Sequence, residues 1–325
     1  MNNPEPFLSI VIPVYNVEEY LERCIESILT QSFDDWEMII INDCSPDQSQ
    51  KIIDRYVLKD GRIKSVINKK NRGLGATRNI GIKHCKGNYV LFVDSDDYVM
   101  VGNELDLMCK QASNNSLDVL DTPYLILEEG KETKLAPRKI NALNDEIYTG
   151  QAYLQQIDIL PVVVWNKLYR RTFILDNAII FKARKYEDIC FTLEVLYKAK
   201  RVQNCTVPFY NYIIRPGSIM TSKPNHSSIN DCFALCEDLE KLYLECDKNP
   251  QIEKSFFYSF VALANLLRHF EACDLKNEMT KKLQALHYKY RFYILKASKL
   301  GFKQRILLFI SPNLMSIIVN KVRKS

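Results

Sequence analysis

The segment from Leu8 to Asn16, LSIVIPVYN, is apolar almost throughout and closes on Pro13, Tyr15 and Asn16. The period then changes. In EEYLERCIESILTQ the residues Leu21, Cys24, Ile25, Ile28 and Leu29 recur every three or four positions, one stripe of an amphipathic helix. The same alternation repeats along the first hundred residues. WEMIIIND predicts a second strand, and Ser45 followed by Pro46 a helix start that Ile52, Ile53, Tyr56 and Val57 continue. IKSVIN reads as a third strand, GATRNIGIKHC as a third helix and YVLFV as a fourth strand. Short strands of this kind, separated by helices, require a parallel sheet covered on both faces, because neither face of the strand carries polar side chains to meet water. In such a sheet the loops at the carboxyl ends of the strands line one crevice, where ligands bind. Here those loops hold Tyr15 and Asn16, Asn42 and Asp43, Asn71 to Arg78, and Asp94 to Asp97.

Beyond residue 100 the pattern is mixed. A helix carrying Leu105, Met108, Cys109 and Ala112 leads to LDVLDTPYLILEEG, which reads as a strand, and then to the charged excursion KETKLAPRK. KYEDICFTLEVLYKA has helical spacing, and VQNCTV and FYNYII are two short strands. From about 225 onward helical spacing dominates. The expected architecture is an α/β domain with a helical C-terminal appendage.

Composition narrows this little: of 325 residues 47% are hydrophobic and 26% charged, as in an ordinary soluble domain. The ten cysteines form no CxxC pair and no Cys/His cluster, and the polar start MNNPEP has no signal-peptide pattern. Reduced thiols in a cytosol are therefore expected, and neither a disulfide framework nor a zinc site. No window holds the roughly 18 uninterrupted apolar residues of a spanning helix. Charge is more informative. Residues 281–325 hold eleven Lys or Arg and no Asp or Glu, which leaves the first 280 residues with 33 basic against 39 acidic side chains.

The apolar run Val90 to Val93 ends in Asp94, Asp96 and Asp97, and several chemistries begin that way. A strand end capped by Asp is the plainest. A calcium loop fails, because Tyr98 and Val99 stand where its third ligand and its Gly belong. A phosphatase with an Asp nucleophile also has Asp-x-Asp after an apolar strand, but there it follows the first strand, and here three strand and helix units precede it. Two carboxylates on alternate residues can share one hard cation, Mg²⁺ or Mn²⁺, completed by substrate phosphate oxygens. The stretch NRGLGATRN has Gly73 and Gly75 but Arg78 at the third position of a dinucleotide fingerprint. Its glycines fit a tight turn that aims Arg72 or Arg78 into the crevice.

Taken in order, VIPVYN, INDCSPD, NRGLGATRNIGI, FVDSDDYV, WNKLYRR, YEDICF and YNYIIRPGSIM resemble the family-2 glycosyltransferases of GT-A fold, especially bacterial enzymes of surface polysaccharide assembly, over roughly residues 7 to 222. The resemblance implies a Rossmann-like, mostly parallel sheet, with residues 1–100 as the nucleotide-binding half and 101–224 as the acceptor-binding half, and the helical spacing beyond it leaves 225–325 as a helical region. It implies a nucleotide-sugar donor, UDP-linked, and a saccharide or lipid-linked acceptor. Pro13, Tyr15 and Asp43 then match positions that hold the base, and Arg78 and Asn79 a nucleotide contact; Asn16, Arg72 and Ser95 belong to the same loops. Asp94 matches a ribose or metal contact and Asp96 the carboxylate that holds Mn²⁺ or Mg²⁺ under the diphosphate. Asp97 stands as a cap or a sugar contact. Trp165, Asn166 and Lys167 match a segment near the sugar, and Arg215 and Ser218 a loop that closes over the diphosphate. Glu187 and Asp188 match the acidic pair whose Asp is the general base.

These roles imply inversion at the anomeric carbon, with a base on the acceptor hydroxyl and positive charge at the leaving diphosphate. Taken alone, Glu187 and Asp188 fit a helix start better than catalysis, Trp165 fits a core aromatic, and Arg215 with Pro216 and Gly217 a turn. A non-catalytic nucleotide-sugar-binding protein is the alternative from another class. The tail GFKQRILLFISPNLMSIIVNKVRKS combines apolar runs with Lys and Arg and is broken by Pro312. It is expected to lie on an anionic leaflet at the cytoplasmic face, or else to pack as a C-terminal helix. Nucleic-acid binding is not expected, since the rest of the chain is net acidic.

Overall fold

The structure, a computed structural model, describes residues 5–128, 131, 133–136, 139–140, 146–159, 161–215, 226–255, 258–259, 263, 281 and 285. The chain divides into two compact units, Met1–Thr221 and Ser222–Ser325. In the first unit the elements begin as the apolar periods require: β1 (Leu8–Val14), α1 (Glu18–Leu29), β2 (Trp36–Asn42), α2 (Ser49–Lys59), β3 (Ile63–Ile67), α3 (Leu74–His84) and β4 (Tyr89–Phe92). There follow β5 (Tyr98–Val99), α4 (Glu104–Asn114), β6 (Val119–Asp121), β7 (Tyr124–Glu128), β8 (Lys134–Leu135), β9 (Lys139–Ile140), α5 (Gly150–Gln155) and β10 (Ile157–Ile159). The unit ends with β11 (Lys167–Arg170), α6 (Arg171–Asp176), α7 (Glu187–Lys198), β12 (Val202–Asn204) and β13 (Tyr210–Ile214).

The main sheet runs β12-β6-β11-β4-β1-β2-β3, and β11 alone is antiparallel to its neighbours. Every residue of β1, β2 and β4 is buried, as expected of strands covered on both faces. Strand order fixes where the helices go. The crossovers β1 to β2 and β2 to β3 step one way, whereas β3 to β4 returns past β1, and right-handed crossovers then put α1 and α2 on one face and α3 on the other. Accordingly α1 packs with α2, while α3 packs on β1 and β2 and meets α7. The order reverses between β1 and β4, so the crevice opens at their carboxyl ends.

Three expectations change. The helix expected from Ser45 and Pro46 begins only at Ser49, because Ser45 is spent on the loop: its amide donates to Asn42 Oδ1 and its hydroxyl to Asp47 Oδ1. LDVLDTPYLILEEG is two strands in two sheets. It breaks at Thr122, whose amide and hydroxyl both donate to the Asn166 carbonyl, and Pro123 follows with no amide hydrogen to continue the ladder. β6 stays in the main sheet, and β7 joins a small sheet ordered β5-β13-β7-β8. The charged excursion after it contains β8 and β9.

In the second unit, α8 (His226–Glu245) buries Ile229, Cys232, Leu235, Cys236, Leu239 and Leu242, a stripe at helical spacing. Among the described residues no helix is long and apolar enough to cross a membrane. The basic tail expected to meet a leaflet lies outside the described residues.

Candidate active site

β4 delivers the acidic loop to the crevice, and its three carboxylates take different directions. Asp97 turns inward and is 1% exposed: its Oδ1 accepts from the Ile213 amide at 2.8 Å and its Oδ2 from the Tyr210 hydroxyl at 2.9 Å. Tyr210 in turn accepts from the Asp94 amide at 3.0 Å, so β13 is laced to the loop. Burial, then Asp96 and Asp94, push the Asp97 carboxyl well above the usual range. The expected sugar contact at Asp97 gives way to this tie, because its oxygens are spent inside the protein.

Asp96 faces the α1 side of the crevice. Its Oδ2 accepts from Arg215 Nε at 2.9 Å, the Arg215 guanidinium stacks over Tyr20, and Arg23 donates to the Asp96 carbonyl. Burial and the neighbouring Asp94 raise the Asp96 carboxyl, and Arg215 opposes them. Arg215 is thereby held against the acidic loop on the α1 side of the crevice. Ser218 lies outside the described residues.

On the α3 side, Arg78 is 2% exposed and donates through Nη2 to Asp94 Oδ1 and through Nη1 to Glu187 Oε1, each at 2.6 Å. Burial disfavours its charge, but Asp94 and Glu187 outweigh burial and raise its pKa. The expected nucleotide contact at Arg78 is thereby replaced by an internal strut. Asn79 is also spent, donating to the Phe181 carbonyl at 2.8 Å and accepting from the Phe181 amide at 2.9 Å. Gly75 lets this segment close on α3: a Cβ there would lie 2.2 Å from the Lys182 carbonyl oxygen.

α7 begins at this point. Tyr186 turns the chain with φ 62°, and Glu187 and Asp188 fill the first helical turn. Asp188 is half-buried beside the strut. Burial, then repulsion from Glu187, pushes its carboxyl up to about 7, with Arg78 opposing. Glu187 is also raised by burial, and Arg78 pulls it back. Such a carboxyl can take a proton near neutral pH, as a general base requires.

At the opposite end of the crevice Asp43 is buried and accepts from Asn68 Nδ2 at 2.7 Å, from the Arg72 amide at 2.9 Å and from the Gly73 amide at 2.9 Å. It thus shapes the loop that also exposes Arg72, and Gly73 supplies the φ of 81° the turn needs. Tyr15 is 49% exposed beside it, and Asn16, at φ 56°, donates its amide to Ser45. Pro13 and Ser95 are buried, so neither side chain presents itself to a base.

The WNK segment is likewise interior. Trp165 stacks on Tyr210 and Tyr212, with ring centroids 4.3 and 5.5 Å away. Lys167 Nζ donates to the Pro161 and Val163 carbonyls and to Asn166 Oδ1, and lies 3.4 Å from Asp121. Asn166 donates to Thr122 and Asp121. All three support the site from below, and their burial removes them from direct sugar contact. Tyr210, Tyr20 and Arg23 were missed in the sequence, because their partners lie far along the chain.

Among the described residues no three His, Cys, Asp or Glu side chains gather as a metal cluster. Asp94 and Asp96 nevertheless suit a hard divalent cation. They offer two oxygen ligands whose mutual repulsion raises Asp96, and Mg²⁺ and Mn²⁺ need few protein oxygens when substrate phosphates complete the shell.

Comparison with known proteins gives the family and the fold. Residues 9–176 match the family described as Glycosyl transferase family 2, and the chain belongs to it. The uncharacterized glycosyltransferase EpsJ of Bacillus subtilis is 34% identical over 66% of this chain and 63% of its own length. The putative glycosyltransferase EpsH of the same organism is 34% identical, also over 66% and 63%. The chain thus spans less than two thirds of either relative. In fold it is similar to Staphylococcus aureus TarS 1-349, solved in complex with UDP-GlcNAc, with a TM-score of 0.62 and 21% identity over 96% of this chain and 88% of that one. The fold is therefore GT-A.

Proposed function

We propose that the protein is an inverting glycosyltransferase that moves a sugar from a UDP-sugar to a saccharide or lipid-linked acceptor in surface polysaccharide assembly. One observation carries the reading: Asp188, raised to about 7, stands at the switch-point crevice and is joined through Glu187 and Arg78 to Asp94. The acceptor oxygen forms a bond to the anomeric carbon while the bond from that carbon to the diphosphate oxygen breaks. The electron pair leaves with UDP and the acceptor proton goes to Asp188. Asp96 and Asp94 would hold Mn²⁺ or Mg²⁺, which supplies positive charge to the leaving diphosphate when bound. Arg215 supplies further positive charge on the same side, and Tyr15 and the Asp43 loop receive the base.

The donor reading draws on UDP-GlcNAc bound by S. aureus TarS, a poly(ribitol-phosphate) β-N-acetylglucosaminyltransferase, and the acceptor reading on the sequence resemblance to enzymes of surface polysaccharide assembly. The test is Asp188→Asn. Transfer from UDP-sugar should fall by about 10²- to 10⁴-fold while calorimetric UDP binding is kept; unchanged transfer removes the base assignment, and no UDP binding by the unmodified chain removes the donor. We also read the basic tail as a contact with the cytoplasmic membrane face. Deleting residues 302–325 should abolish sedimentation with anionic vesicles, and undiminished sedimentation removes that contact.

A further inference from the structure

The side chain of Tyr210 is completely buried, and its hydroxyl is used twice. It accepts from the Asp94 amide at 3.0 Å and donates to Asp97 Oδ2 at 2.9 Å, so one oxygen ties the first residue of the acidic turn to the last. The turn itself closes on a 3.0 Å hydrogen bond from the Asp97 amide to the Asp94 carbonyl, and Asp96 lies inside it. A hydroxyl whose hydrogen and acceptor are both committed in this way has a fixed orientation.

The ring that carries this hydroxyl is held from several directions. β13 places Tyr210 opposite Val99 of β5 on one side and Tyr124 of β7 on the other. The ring stacks on Trp165, with centroids 4.3 Å and planes 14° apart, and Trp165 meets Tyr124 edge-on at 4.5 Å. Trp165 in turn precedes Asn166 and Lys167, which are anchored to the buried Asp121, and Lys167 opens β11 of the main sheet. The acidic turn is thus tied through one phenol to both sheets. Because the phenol is sealed from the crevice, it touches neither substrate nor cation, and its influence passes through Asp94 and Asp97.

We infer that Tyr210 is a positioning residue for the divalent cation: by spanning Asp94 and Asp97 it sets how the Asp94 and Asp96 carboxylates are presented together. The inference rests on the reading of that pair as the cation ligands of a glycosyltransferase, and deepens it. Mg²⁺ and Mn²⁺ favour octahedral oxygen shells, so the few oxygens a protein contributes must be placed before the ion arrives. Removing a group that orients metal ligands typically weakens binding about 10- to 100-fold. A Phe at this position keeps the ring and its stack and deletes only the oxygen.

The probes are Mn²⁺ and UDP on the full chain. Electron paramagnetic resonance of the free aquo ion reads Mn²⁺ affinity at saturating UDP, and calorimetry in EDTA reads UDP affinity without metal. Tyr210→Phe should bind Mn²⁺ about tenfold more weakly with metal-free UDP affinity unchanged, and its transfer should recover when Mn²⁺ is raised about tenfold. Tyr89→Phe controls for the loss of a buried hydroxyl as such: that oxygen meets the Ala112 and Leu117 carbonyls, each at 2.9 Å, at the start of β4 and away from the acidic turn. It should lower the melting temperature comparably and leave Mn²⁺ affinity at the parental value. Trp165→Phe, which trims the stack and keeps the hydroxyl, should lose less Mn²⁺ affinity than Tyr210→Phe, and decides the matter if Tyr210→Phe does not fold. Parental Mn²⁺ affinity in the folded variant, an equal loss in Tyr89→Phe, or a matching loss of metal-free UDP binding overturns the inference and leaves the glycosyltransferase reading intact. If the unmodified chain binds UDP but no Mn²⁺, the cation reading of Asp94 and Asp96 falls and the inference with it, whereas absence of UDP binding sinks the glycosyltransferase reading beneath both.

Discussion

Arg78 Nη1 lies 2.6 Å from Glu187 Oε1, joining residues 109 positions apart and fixing the start of α7 against α3. The second guanidinium nitrogen holds Asp94, so one buried cation ties a candidate metal carboxylate to the helix that bears the candidate base. Removing it strands two carboxylates. Arg78→Met should lower stability by about 3 to 5 kcal/mol, because breaking a buried pair leaves uncompensated charge. Adding Glu187→Gln should restore part of the loss. Urea unfolding of the single and double variants checks both, and additive losses would deny the coupling.

The raised carboxyl of Asp188 links rate to pH. With a folded value of about 7 against an ordinary value of 3.8, the folded chain binds one proton more than the unfolded chain between those limits. Stability from this group is therefore greatest below the unfolded value and declines as pH rises through about 7. A base must be ionised, so transfer should rise over the same interval. Activity and thermal stability should thus move in opposite directions between pH 5 and 8. In Asp188→Asn the stability decline should shrink, and a melting profile unchanged from the parent would show that another group titrates.

The parallel half of the fold was legible because β1, β2 and β4 are buried on both faces and so carry uninterrupted apolar runs. The crevice followed from the carboxyl ends of the parallel strands, and the loops holding Asp43 and Asp96 were found from it, whereas Asp188 was marked only by the family resemblance. What sequence could not show was which polar side chains turn inward. Asp96 and Asp97 are adjacent and alike, yet one meets Arg215 at the crevice and the other is sealed under Tyr210, and both partners lie more than a hundred residues away. Asn166 and Lys167 read as site residues because the WNK segment resembles one near the sugar in the family, but their partners are carbonyls and Asp121 in the interior. The Thr122 break was equally hidden, since it depends on the Asn166 carbonyl.

Lys167 therefore predicts a stability phenotype. Lys167→Met leaves Asp121 without its cation and frees the Pro161 and Val163 carbonyls, which should cost about 3 to 5 kcal/mol. KM for UDP-sugar should be unchanged in protein that remains folded. A variant of parental stability with a raised KM would return Lys167 to the sugar site.

Gly75 offers the most local test of how the base is placed. Its first-turn position in α3 lies against the loop that leads into α7, and a methyl group there would stand 2.2 Å from the Lys182 carbonyl oxygen and 3.0 Å from Glu187 Cβ. Neither is the end of a flexible chain, so the loop must move. Gly75→Ala should cost about 1 to 3 kcal/mol in overpacking and should reduce kcat, because Glu187 and Asp188 move with the displaced backbone. UDP affinity should be nearly unaffected, since Tyr15, Asp43 and the Asp96–Arg215 pair are built on other elements. Calorimetry with UDP beside steady-state transfer separates the two. If Gly75→Ala weakens UDP binding as much as it slows transfer, α3 serves the donor and the base together, and the division between the two faces of the crevice fails.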